Sequence, residues 1–306
     1  MNAALWLVNP AAGGGRAEGV WDRLVATNPE LQNALVVRDS DPAVAAQKLD
    51  EHLERRTSGS QGKAIERVVA VGGDGTVHLA ANRLLHLGLG HQIALGLIPA
   101  GTGSDLARSL GLPTQPKRAL EILRTAKPQS LDALEVATSN GHRSYSINIA
   151  SAGLSGQVNE KVNALSRKGS LAYLTATLSA LRSYRAVSCR VEIDGKPWWQ
   201  GPILLLAIAN GRFFGKGMKV APKAQLQDGL ADIVLVKGMP RWRLLLQLPR
   251  VYLGTHLSSP FVAWARGREV RIEPLEPLPL FDLDGEAMAS GPAQVRVLPD
   301  ALHFLW

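Results

Sequence analysis

Over residues 1–128, four apolar stretches of strand length alternate with four helix-like stretches. "ALWLVNP", "NALVVRDS", "RVVAVGG" and "IALGLIPAGTG" read as strands. "GRAEGVWDRLVATNP", "DPAVAAQKLDEHLERR", "TVHLAANRLLHLG" and "SDLARSLGL" read as helices, the second with Asp41 as N-cap and Pro42 at its first position. Such alternation requires right-handed crossovers, and so predicts an α/β N-terminal domain built on a doubly wound, mostly parallel sheet. Ligands of such sheets bind beyond the carboxyl ends of the strands. Three of those ends are the glycine-rich loops "NPAAGGG", "GGDGT" and "AGTGS".

The pattern changes after "RTAKPQS". "LDALEVATSNGHRSYSINIA" reads as two strands around a Ser-Asn-Gly turn, and "CRVEIDGKPWWQGPILLLAIAN" as two around Asp194-Gly195. "GLADIVLV", "EVRIEPL", "LFDLDGE" and "AQVRVLP" are further short strands, interrupted by the helix candidates "GSLAYLTATLSALRSY" and "RWRLLLQLPRVYLG". The expected second domain is β-rich and sandwich-like. The boundary is placed near Lys127–Ser130, giving domains 1–128 and 129–306.

A chain of 306 residues suits one large or two modest domains. Its one cysteine, Cys189, forms no intrachain disulfide and fits a cytoplasmic protein. The N-terminal apolar run is cut by Asn9-Pro10, so it reads as a strand rather than a signal peptide. No apolar run approaches the ~20 residues that span a bilayer. Residues 1–128 carry 14 basic and 12 acidic side chains, and residues 129–306 carry 20 and 14. The basic excess in the second half suits a phosphorylated ligand or an anionic membrane surface; no nucleic-acid motif accompanies it.

Glycines at strand ends let backbone amides approach phosphate oxygens, and the following helix N-terminus adds partial positive charge. Each loop alone is equally an ordinary tight turn. The Walker pattern is absent, because "GSQGKA" has the wrong spacing and no hydroxyl after Lys63. Gly13-x-Gly15-x-x-x-Gly19, with Asp39 near the end of the second strand, leaves a dinucleotide site open. Asp74 is the informative side chain. A bare phosphate would repel it, so it implies a bridging divalent cation or an acceptor hydroxyl, with an N-cap on the helix beginning at Thr76 as the alternative.

These loops, together with "LIPAGTGSDLARSLGLP", "SINIASAGLSGQV", "ANGRFFGKGMKVAPKAQLQDGLADIVLV" and "FDLDGE" in that order, resemble the diacylglycerol kinase catalytic superfamily, and within it the bacterial YegS-type lipid kinases. The resemblance covers nearly the whole chain. It implies transfer of phosphate from ATP, with Mg²⁺, to a lipid hydroxyl. Asn9, Pro10 and Gly13 match the first nucleotide loop; Gly72, Gly73, Asp74, Gly75 and Thr76 the phosphate loop; Gly101, Thr102 and Gly103 the third. Asp284 and Glu286 match the acidic pair from which the family draws its general base, making Asp74, Asp284 and Glu286 the catalytic candidates. Asp228 matches a ligand of a structural Mg²⁺, but Gln227 stands where a second acid is usual. His78 and Leu79 stand where the family often has Asn-Glu. If "FDLDGE" is extended, Asp282, Asp284 and Glu286 share one face. A soluble-metabolite kinase of NAD kinase type and a non-catalytic lipid- or nucleotide-binding protein are the competing readings.

The seven histidines show no helical metal spacing, and no nucleophile elbow occurs. In "RWRLLLQLPRVYLG", Leu244, Leu245, Leu248, Val251 and Tyr252 form one stripe that Pro249 is expected to break or kink. This helix either packs on the β-rich domain or docks on a membrane, with Trp242 at the interface and Arg241, Arg243 and Arg250 facing headgroups. The expected partner is a lipid at a membrane surface, bound reversibly by a cytoplasmic protein, with a homodimer also open.

Overall fold

The computed structural model describes residues 3–57, 65–156, 158, 179, 186–277, 281–288 and 291–306. The chain divides into two compact units: residues 1–131 together with 300–306, and residues 132–299.

In the first unit the strands are β1 (Ala4–Val8), β2 (Leu35–Arg38), β3 (Arg67–Gly72) and β4 (Ala94–Pro99). They alternate with α1 (Arg16–Thr27), α2 (Pro42–Thr57), α3 (Asp74–His86), α4 (Asp105–Leu110) and α5 (Pro116–Thr125). β1 pairs parallel with β2 on one side and with β3 on the other, and β3 pairs parallel with β4. The winding direction therefore reverses between β1 and β3. Strands β1, β3 and β4 read as continuous apolar runs because helices cover both faces of the sheet. Trp6 on β1 packs against Trp21 on α1, ring centroids 5.1 Å apart. Asp41 caps α2 as the sequence predicts, its Oδ1 accepting from the amides of Ala43 and Val44.

The second unit contains β6 (Arg143–Ser146), β7 (Ile149–Gly153), β8 (Val187–Ile193), β9 (Lys196–Ala209), β10 (Ala231–Lys237), α6 (Arg241–Leu253), β11 (Val262–Gly267), β12 (Glu269–Pro274), β13 (Phe281–Leu283) and β14 (Glu286–Met288). These strands pair antiparallel. β9 is shared by β7, β8 and β10, and β12 lies against β8. The expected Asp194-Gly195 turn joins β8 to β9, with both residues at positive φ. Leu206, Ile208, Ile233, Leu235, Phe281 and Val295 belong to one buried cluster.

Two strands run from one unit into the other along the chain: β5 (Pro128–Thr138) and β15 (Ala293–Leu305). The end of β15 returns to the first unit, where Phe304 pairs parallel with Leu95 and Leu305 joins the core beside Ile98 and Leu123. Of the helix expected over 169–184, all but residue 179 lies outside the described residues. Pro249 lies inside α6 without ending it.

Candidate active site

The three glycine loops follow β1, β3 and β4 at their carboxyl ends, beside the point where the winding reverses. Their backbones interlock. The amides of Ala100 and Gly101 both donate to Gly72 O, at 2.7 and 3.0 Å. A Cβ on Gly101 would lie 2.3 Å from the Cα of Gly73, and one on Gly13, which has φ +66°, would lie 2.3 Å from Ala100 O. Asn9 N donates to Val71 O, and Asn9 Oδ1 accepts from Ala11 N, which shapes the turn at Pro10. Thr76 is buried, and a Cβ on Gly72 would lie 2.2 Å from its Oγ1. Asn9, Pro10, Gly13, Gly72, Gly73, Gly75, Thr76, Gly101, Thr102 and Gly103 thus belong to one connected set of loops.

Asp74 begins α3 but does not cap it, since the residue before that helix is Gly73. Its carboxylate reaches the start of α4 instead: Oδ2 accepts from Asp105 N and Oδ1 from Leu106 N, both at 3.1 Å. A Cβ on Gly103 would lie 2.9 Å from Asp74 Oδ2, which accounts for the glycine there. Ser104, at φ +55°, turns the chain into α4. The acid therefore ties the second glycine loop to the third. This tie is a further role, one that the sequence did not suggest for it.

Three arginines complete the site. Arg16 Nε donates to Gly13 O at 3.0 Å and Nη2 to Gly101 O at 3.2 Å, bridging the first and third loops. Arg108 donates to Gly103 O and to Asp105 Oδ1. With Arg23, they line a cavity of about 560 Å³ beside residues 99–104. Sequence reasoning passed over these arginines. The signal for them was position: Arg16 directly follows the glycine triplet, and Arg108 lies one turn into the helix after the third loop. Backbone loops that only glycine lets interlock, faced by guanidinium groups, suit an Mg²⁺-bound polyphosphate.

In the second unit, Asp284 and Gly285 form the two-residue turn between β13 and β14, at φ +56° and +101°. The chain reverses there, so Asp282, Asp284 and Glu286 do not share one face of an extended strand. Leu283 pairs with Glu286 across the hairpin instead. Asp282 is buried and accepts from Gly285 N at 2.8 Å. The Asp284 carboxylate accepts from Ser146 Oγ at 2.6 Å and from the amides of Ile147, Asn148 and Ile149 at 2.9–3.0 Å. Four donors hold it in one orientation. Glu286 is exposed.

Asp228, the expected metal ligand, is paired with an arginine. Arg266 Nη2 lies 2.8 Å from Asp228 Oδ2, and Arg266 Nε lies 3.1 Å from Oδ2 of the fully buried Asp232. Arg266 Nη2 also donates to Lys223 O, and Trp264 Nε1 to Asp232 Oδ1. Partial burial works against the guanidinium's charge, but the two carboxylates outweigh it and raise its affinity for the proton. A permanent cation already pairs with both carboxylates. With Gln227 replacing the second acid, the residues present do not fit a structural Mg²⁺. Cys189 is buried, and its thiol is pushed up to about 11, far from nucleophilic use.

Residues 3–136 match the diacylglycerol kinase catalytic domain, and residues 148–306 match the YegS C-terminal NAD kinase beta sandwich-like domain. A diacylglycerol kinase of Mycobacterium tuberculosis is 32% identical over 79% of this chain and 77% of its own. The chain belongs to the diacylglycerol kinase family. A protein of Stenotrophomonas maltophilia named "Probable lipid kinase YegS-like" is 30% identical over 82% of each chain, which puts the YegS-type lipid kinases among this family member's relatives. A solved diacylglycerol kinase structure from Bacillus anthracis superposes with a TM-score of 0.71 over 100% of this chain and 97% of that one, at 19% identity. Yeast NADH kinase superposes with a TM-score of 0.52 at 10% identity, covering 99% of this chain and 82% of that one, a likeness of fold alone. Among the described residues, no helix is long and apolar enough to cross a membrane.

Proposed function

We propose that this diacylglycerol kinase family member transfers the γ-phosphate of ATP to the hydroxyl of a diacylglycerol-like lipid at a membrane surface. The observation that carries the reading is the interlocked set of three glycine loops faced by Arg16, Arg23 and Arg108. Their backbone amides and guanidinium groups would hold the polyphosphate in line for transfer, and charge neutralisation there does most of what phosphoryl transfer requires. Mg²⁺, when bound, would neutralise charge on the β- and γ-phosphates. Asp74 keeps the third loop in register with the second. The pair Asp284 and Glu286 would take the proton from the lipid hydroxyl as its oxygen bonds to the γ-phosphorus and the bond to ADP breaks, a contribution of ~10²–10⁴-fold. Asp284 is the pre-oriented member of the pair.

The membrane reading is supported by α6. Leu246 is 64% exposed, Tyr252 53% and Leu253 73%, and Pro249 is exposed beside them. Residues 246, 249 and 253 follow helical spacing, so they form an apolar stripe on the outer side. Val251 packs inward with Val220 and Val234. The outward stripe therefore differs from the one expected from sequence, and Tyr252 belongs to it. Arg243 lies over the Phe261 ring, and Arg250 donates to Ser258 Oγ, so both are held at the base of the helix. The side chains of Arg241, Trp242 and Leu245 lie outside the described residues.

The test is incubation with γ-labelled ATP, Mg²⁺ and either mixed vesicles containing diacylglycerol, phosphatidylglycerol and sphingosine, or NAD. Label in a lipid supports the reading. Label in NAD, or in neither, overturns it.

A further inference from the structure

Within the first unit, the fold brings together two histidines and an aspartate that are far apart in sequence. His91 lies in the turn between α3 and β4, and Asp300 and His303 lie in the returning end of β15. The backbone sets their separation. His303 N donates to Gly90 O at 2.9 Å, and a Cβ on Gly90 would lie 2.2 Å from Ala301 O, so only glycine allows the segments this close. Residues three apart in a regular strand face opposite ways, but Asp300 has φ +49°, which breaks that alternation. One ligand atom from each of the three side chains lies within 4.8 Å of the others. The two imidazole rings meet edge-on at 87°, with centroids 5.4 Å apart.

We propose that His91, Asp300 and His303 form a binding site for a zinc-class transition-metal ion, separate from the nucleotide site. Two imidazoles and one carboxylate, with a fourth position left to water, are a donor set suited to Zn²⁺ and its neighbours and ill-suited to Mg²⁺, which prefers oxygen. With atoms no more than 4.8 Å apart, a point exists about 2.8 Å from all three. Bound zinc needs ~2.0–2.2 Å. Small torsions of these largely exposed side chains supply the difference. The site precedes β4, whereas the glycine loops follow the sheet's other end; a six-residue strand spans about 20 Å. The ion's role is therefore to staple the returning C-terminal strand to the α3–β4 turn, and its binding energy adds to the stability of that strand.

The test uses the full chain, stripped with a chelator and dialysed. Zn²⁺ is titrated by calorimetry, Co²⁺ by its visible absorption, and melting is followed with and without Zn²⁺. The parent, His303→Gln and His91→Gln are compared, glutamine keeping much of the bulk in case alanine unfolds the turn. The expected result is one Zn²⁺ equivalent in the parent that each variant loses or binds at least about tenfold more weakly. A Zn²⁺-dependent rise in melting temperature should vanish with it, and Mg²⁺ should not reproduce that rise. Equal Zn²⁺ stoichiometry and affinity in parent and variants, or no Zn²⁺ binding by the parent, overturns the proposal.

Discussion

Asp74 Oδ1 accepts a hydrogen bond from the backbone amide of Leu106 at 3.1 Å, while Oδ2 takes the amide of Asp105. One carboxylate thereby joins the second glycine loop to the helix that follows the third. The single acid in "GGDGT" has work to do before any nucleotide arrives.

Asp74→Asn should consequently cost stability as well as activity. The carboxamide keeps one acceptor oxygen and turns its NH₂ toward an amide donor. Loss of a side-chain cap costs about 0.5–2 kcal/mol. A lowered melting temperature together with a fall in kcat/KM is the expected pair of results. Unchanged kcat/KM would remove Asp74 from the phosphate-site machinery.

Asp284→Asn and Glu286→Gln should separate. Asparagine at 284 would turn its NH₂ either toward the amide of Ile147 or toward those of Asn148 and Ile149, so both turnover and melting temperature should fall. Glutamine at the exposed Glu286 should lower turnover and leave melting nearly unchanged. Turnover in both variants within tenfold of the parent, about 1.4 kcal/mol of barrier, would exclude the pair as the base.

Leu246→Ser with Leu253→Ser should weaken sedimentation with anionic vesicles and leave the fold intact, because both side chains are exposed. Binding by the parent should also fall as salt rises, since each engaged Lys or Arg contributes ~1 kcal/mol within a Debye length. Vesicle binding by the double variant equal to that of the parent would exclude this face of α6.

Arg266→Met should destabilise the second unit by about 3–5 kcal/mol, because it strands the buried charge of Asp232. Mg²⁺ should leave the parent's melting temperature unchanged, measured with ATP absent. A Mg²⁺-dependent rise that Asp228→Asn abolishes would restore the metal role of Asp228.

His256 is buried, with Nε2 2.9 Å from Val220 O and no partner for Nδ1 among the described residues. Burial lowers its proton affinity below the ordinary value of 6.5. The unfolded chain therefore binds the proton more readily, and the neutral ring's contribution is fully present above pH 6.5 and lost as pH falls below it. Melting temperature measured from pH 7.5 to 5 should fall less steeply for His256→Gln than for the parent.

Much of this was legible in the chain. The alternation in residues 1–128 specified a parallel sheet, because strands buried on both faces are apolar throughout and the helices between them are not. Glycines at the ends of β1, β3 and β4 marked the edge where three loops interlock, because only glycine tolerates backbone atoms at the distances seen around Gly13 and Gly101. The Asp41 cap and the Asp194-Gly195 turn were equally readable, being local. Partners distant in sequence were not. That Asp74 serves α4, that Asp284 folds back on residues 146–149, that Arg266 neutralises Asp228 and that His303 meets His91 are facts of tertiary packing. A side chain's residue type states which charge or hydrogen bond it offers, and only the folded backbone decides which neighbour stands within 3 Å to accept it.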